Sequence, residues 1–155
     1  MASDAVEIFV REARDYCTFV ESASTFPLAN RLNIARMRLL MLYTAALSLP
    51  AIEPGEIDAG PSPDVPKDWP GFGEKDFYWE VFDPYEQAEP VAGSLSDDLL
   101  DIYRDLQRGL ALWDAAHRQY ALWEWRFHRD VHWGDHAVDA LRALHRACHP
   151  STGDA

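Results

Sequence analysis

Apolar positions near the N-terminus recur at steps of three and four. Val6, Val10, Ala13, Cys17 and Val20 share one face, widened by Phe9 and Tyr16, which predicts a helix from about Asp4 to Ser24 with Ser3 as N-cap. A second helix is predicted to open at Pro27 behind a Thr25 cap and to run to about Leu49, where Pro50 stops it. Its apolar face is Leu28, Leu32, Ala35, Leu39, Leu42, Tyr43 and Ala46. The short gap between the two favours an antiparallel hairpin. From Ser94 to His149 there is no proline. Leu95, Leu99, Ile102, Tyr103, Leu106, Leu110 and Trp113 fall in one arc. Tyr120, Trp123, Phe127, Val131, Val138 and Leu141 fall in another, displaced by about 100° if the helix were continuous. That slip predicts a break near Asp114 to Arg118, with Asp114 capping a fourth helix. Gly134 either kinks that helix or marks a close-packing position.

Residues 50–93 interrupt this pattern and carry eight of the ten prolines. A connector this long is either functional or disordered as a rule. Ala51 to Asp68 has few apolar residues and is predicted to be mobile. Trp69 to Tyr85 holds Trp69, Phe72, Phe77, Tyr78, Trp79, Phe82 and Tyr85, too many rings to leave in water, so it is expected to lie across the helices with a short extended piece at Phe77 to Phe82. The fold class that follows is all-α. It is a single helical domain over residues 1–155, a four-helix bundle of two N-terminal and two C-terminal helices with the Pro-rich, acidic, aromatic connector packed on it.

The charge sharpens the division. The net charge is −12, and residues 50–93 hold eleven acids against Lys67 and Lys75. Such a chain repels phosphate backbones and anionic lipid, so neither nucleic acid nor membrane is expected as a partner; Arg31, Arg36 and Arg38 read as a solvated helix face. The N-terminal sequence lacks the basic head and apolar run of a secretory leader. With two cysteines, Cys17 and Cys148, both on predicted helices, a cytoplasmic protein with reduced thiols is expected.

The sharpest chemical feature is a column on the fourth helix: Glu124, His128, His132 and His136, four apart and therefore stacked on one face. Adjacent histidines at this spacing can chelate one ion, whereas His128 and His136 lie about 12 Å apart along the axis and cannot share one. A metal site would take Glu124, His128, His132 and Asp139, with zinc or manganese as the divalent ion. The alternatives are a histidine-lined groove without metal, or histidines that only face solvent. A second feature is Asp97, Asp98, Asp101 and Asp105 on the third helix. Their spacing resembles the magnesium-holding faces of helical nucleotide pyrophosphatases. Equally, the first two suit a helix N-terminus behind Ser96, and the others pair with Arg104 and Arg108. Arg129 and His136, seven apart, are similar in spacing to the pair of HEPN-type helical ribonucleases. No phosphate loop, dinucleotide fingerprint, Cys-x-x-Cys or nucleophile elbow occurs.

Three phrases occur together: Tyr78-Trp79-Glu80-Val81-Phe82-Asp83-Pro84, the run Ser96-Asp97-Asp98 to Leu106, and Trp123-Glu124-Trp125-Arg126-Phe127-His128 with His132-Trp133-Gly134-Asp135-His136-Ala137. In these the chain resembles, over residues 5–146, a group of small bacterial proteins catalogued only as a domain of unknown function. The resemblance implies a bacterial, mostly helical protein and carries over no catalytic residue.

Two functions are then expected in order. The first is a non-catalytic bundle protein that binds a protein partner or small ligand in a groove between the aromatic connector and the fourth helix, lined by Trp79, Phe82, Trp125, His128, His132 and His136. The second is a metal-dependent hydrolase using the histidine column, which requires carboxylates of the third helix, or Asp139, to face the same ion. A homo-oligomer is left open.

Overall fold

The computed structural model describes residues 2–149; Ser3, the expected cap, lies outside the residues whose side chains are described. The chain runs α1 (Ala2–Ser22), a 3-10 turn (Ala23–Thr25), α2 (Leu28–Ala46), an irregular connector, β1 (Phe77–Glu80), β2 (Val91–Ser94), α3 (Leu95–Asp114), α4 (Arg118–His128), a π-helical turn (Arg129–Trp133) and α5 (Gly134–Cys148). Because α4 flows through the π turn into α5 with helical backbone angles throughout, the molecule is a bundle of four rods with a small hairpin added. In the ring of rods, α1 packs on α2 and α3, α2 on α5, and α3 on both α4 and α5.

The stripes predicted for α1, α2 and α3 face inward, with Phe9, Tyr16, Leu39, Leu42, Leu99 and Ile102 fully buried, except that Leu28 at the start of α2 is exposed. The caps differ from expectation. Thr25 donates to the Ser22 carbonyl instead of capping α2, and Asp114 pairs with Arg14 at 2.5 Å rather than capping α4. Helix α3 is capped by Ser94, whose hydroxyl accepts from the Asp97 N–H. Ser96 is instead held by Asp76, which accepts from its N–H and its hydroxyl, both at 2.7 Å. Asp76 thus places a carboxylate at a helix N-terminus, where the exposed N–H groups and the dipole favour an anion.

The fourth rod is turned relative to the predicted wheel. Phe127, Val131 and Val138 are exposed, while Ala121, Trp125, Trp133, Ala137, Ala140 and Leu144 are buried. Small residues let this rod approach α3 closely: a Cβ on Gly109 would fall 2.0 Å from the Trp125 indole nitrogen. That indole donates to the Leu106 carbonyl at 3.2 Å, and the Trp133 indole donates to the Trp125 carbonyl at 3.0 Å. Both buried polar handles are therefore satisfied.

The extended piece foreseen at Phe77 is β1, paired antiparallel with β2, a strand not foreseen. Only part of the aromatic connector is covered. Phe72 is fully buried and Trp69 donates to Ser96, but Phe77, Trp79, Phe82 and Tyr85 are exposed. Between residues 51 and 68 the chain has no helix or strand, and its Ala59 and Val65 rest against the core. Among the described residues no helix is long and apolar enough to cross a membrane.

Candidate functional site

The turned fourth rod sets two polar columns against each other. Asp98, Asp101 and Asp105 lie on one face of α3, at helical spacings of three and four. Opposite them stand His132 in the π turn and His136 in α5. His132 Nδ1 is 2.6 Å from Asp105 Oδ2, and His136 Nδ1 is 2.7 Å from Asp98 Oδ1. Asp98 and Asp105 are almost fully buried, 5% and 3% exposed, a placement that carboxylates tolerate only when paired.

These bonds fix the tautomers. An ionised carboxylate only accepts, so each Nδ1 carries the proton and each Nε2 presents a lone pair when the ring is neutral. Asp101 completes the group: its Oδ2 is 3.5 Å from His136 Nε2. One donor atom from each of Asp101, His132 and His136 lies within 4.8 Å of the others. The two imidazoles meet edge to face with ring centres 4.9 Å apart. Metal-ligating histidines characteristically give their second ring N–H to a carboxylate, which is the arrangement that Asp105 and Asp98 supply.

A further layer holds the carboxylates. Arg104 Nη1 donates to Asp101 Oδ1 at 2.7 Å, and Arg108 pairs with Asp105. From β1, the Tyr78 hydroxyl donates to Asp98 Oδ2 at 2.6 Å and lies 3.1 Å from Glu80 Oε2. Burial, then the Asp98 bond, pushes the Tyr78 phenol well above its usual pKa, so it remains a donor. The Asp98 bond likewise raises the His136 pKa. Asp139, on the next turn of α5, is pushed up to about 6 by burial and by the Glu80 carboxylate to which it bonds, with Asp98 and Asp135 adding.

The π turn is what separates His132 and His136 from His128. A π turn spends an extra residue per turn and shifts the faces that follow it. Its wider backbone brings the Arg129 carbonyl oxygen to 2.2 Å from where a Cβ on Gly134 would stand, so a residue without a side chain is needed there.

The residues expected to line a groove are not brought together. Trp125 is buried against Phe9 and Trp113 inside the bundle, whereas Trp79 and Phe82 are 76% and 90% exposed on the hairpin side. The expected metal set also divides. His128 Nδ1 sits 3.0 Å from both the carbonyl and Oε2 of Glu124, a bond that raises its pKa, and Asp139 turns to Glu80. Only His132 of that set joins the cluster. Arg129 donates to the Ala46 carbonyl at the end of α2, away from the α3 face that His136 meets. The sequence reading asks for carboxylates of the third helix, or Asp139, to face the ion without naming which aspartates of α3 do so. Their match in spacing to His132 and His136 was the signal that could have joined the two.

A search of the solved structures finds the crystal structure of protein BF1032 from Bacteroides fragilis. It is 22% identical, with a TM-score of 0.78 over 96% of this chain and 94% of that one, a likeness of fold. No curated protein matches. Residues 70–149, just over half of the chain and the part that carries β1, α3, the π turn and α5, match the family described as a domain of unknown function, DUF5063. The chain belongs to that family.

Proposed function

We propose that this protein binds one divalent transition-metal ion through Asp101 and the Nε2 atoms of His132 and His136. The observation that carries the reading is the pair of Nδ1–carboxylate bonds, which leaves both Nε2 atoms free, in a cluster where one donor atom each of Asp101, His132 and His136 lies within 4.8 Å of the others. Two imidazoles and one carboxylate suit zinc, manganese or iron(II), and three protein donors leave coordination positions open. An ion held there supplies Lewis acidity, the chemistry of a metal-dependent hydrolase. His132, with a side chain 41% exposed, gives the site access to solvent. The test is a cobalt(II) titration of chelator-stripped protein followed by visible absorption. One equivalent should give a saturating d–d spectrum that a His132→Ala, His136→Ala double variant does not give. An unchanged double variant would remove the reading.

A second reading, a ligand- or partner-binding protein without catalysis, is favoured by a different observation. A trough of about 670 Å³ runs between β1 and α5, with Trp79 on its wall.

A further inference from the structure

The trough follows an edge of the sheet. Consecutive residues from Phe77 to Val81 line it whichever way their side chains alternate, as they do along a strand's edge. The other edge of β1 is taken by β2, in the register Tyr78↔Gly93 and Glu80↔Val91. The Leu95 N–H donates to the Asp76 carbonyl at 2.8 Å, in line with that register. Antiparallel ladders alternate, so Tyr78 and Glu80 bond to β2 while the backbone N–H and C=O groups of Phe77, Trp79 and Val81 point to the free edge. Across the trough, α5 offers the small residues Ala143 and Ala147 as a floor, with Arg142 beside them. A strand edge facing a helix across an open trough is a geometry that accepts an added strand.

Charge selects the occupant. The chain carries 26 acids against 14 lysines and arginines, and the two carboxylates on this trough, Glu80 and Asp139, bond to each other, whereas Lys75 and Arg142, both lining it, have no side-chain hydrogen bond or ion pair among the described residues. We propose that the free edge of β1 takes up an extended acidic segment of a partner protein. The segment pairs its backbone with Phe77, Trp79 and Val81, sets carboxylates against Lys75 and Arg142, and rests apolar side chains on Trp79 and the alanine floor. This rests on the second reading above and is independent of the metal.

The probe is a fluorescein-labelled octapeptide of alternating valine and glutamate, followed by anisotropy in the presence of chelator. A lysine-for-glutamate version and a proline-for-valine version, which lacks alternate N–H donors, serve as comparisons. The glutamate peptide should bind at least tenfold more tightly than either. A Lys75→Glu, Arg142→Glu variant, altered only at exposed positions and checked by an unchanged Tm, should reverse the charge preference. Equal binding of the three peptides would overturn the acidic strand while leaving a groove. No binding by any of them up to millimolar protein would overturn both. Light scattering that shows a dimer dissociated by the charge-reversal variant would assign the edge to a second copy and overturn the partner.

Discussion

His136 faces two aspartates of α3 at once: its Nδ1 bonds Asp98 at 2.7 Å, and its Nε2 stands 3.5 Å from Asp101. One imidazole thus ties α5 to α3 on one side and offers a ligand atom on the other. The Asp98 carboxylate makes that ring more basic and holds its plane, and Tyr78 holds Asp98 in turn. An Asp98→Asn substitution keeps the shape and removes the charge. Metal affinity should fall by roughly 10- to 100-fold with the fold intact, measured by competition against a chromophoric chelator. An unchanged affinity would mean that Asp98 plays no part in orienting the ligand.

Gly134→Ala tests the π turn. Its Cβ would be forced against the Arg129 carbonyl oxygen, and relief requires the rod to rewind. A loss of about 1–3 kcal/mol is expected in urea unfolding, together with weaker metal binding as His132 rotates away from His136. Full stability and full binding would show that the turn tolerates a side chain.

The two tryptophans that the sequence assigns to one groove should behave oppositely. Trp125 is fully buried and hydrogen-bonded, so Trp125→Ala should cost about 3–5 kcal/mol. Trp79 is mostly exposed, and Trp79→Ala should change stability by less than about 0.5 kcal/mol. Denaturant midpoints of the two variants are sufficient to compare them.

Asp139 gives the pH dependence a sign. Its carboxyl titrates at about 6 in the fold and near ~3.9 in an unfolded chain. Its proton therefore favours the folded state. The contribution is complete below about pH 4 and is lost as pH rises through about 6. In chelator, stability should rise as pH falls from about 7.5 to 5.5, with His128, its pKa raised by Glu124, acting in the same direction. Asp139→Asn should flatten part of that slope and add about 1 kcal/mol at pH 7.5, well below the full value of the shift because the group is partly solvated. A variant less stable than the parent at pH 7.5 would contradict this assignment.

Helices α1 and α3 were legible because each has one dominant apolar stripe, whereas α2 was placed by its Leu32, Ala35, Leu39, Leu42 and Ala46 spacing although Met37, Leu40 and Met41 on its other side are exposed. The fourth rod was not, for a physical reason. Its exposed side carries Phe127, Val131 and Val138, while its buried side is built from Ala121, Gly134, Ala137 and Ala140 around Trp125 and Trp133. A hydrophobicity wheel ranks valine above alanine, whereas close helix packing selects the small residue. The π turn also breaks the fixed step on which a wheel depends. The wheel therefore leaves a metal site, a groove and a solvated face all open for the histidines, whereas His132 and His136 meet the acids of α3. Strand β2, Val91–Ser94, gave no sign of itself, since its alanine and glycine lack strand propensity and it is defined by pairing with β1.

The central claim is that Asp101, His132 and His136 hold one ion, and zinc stoichiometry across three single variants tests it most directly. Calorimetric titration of chelator-stripped protein should give one site in the parent and in His128→Ala, and none of comparable affinity in Asp101→Ala or His132→Ala. Loss of the site in His128→Ala with retention in Asp101→Ala would contradict the account and return the ion to the Glu124–His128 end of the helix.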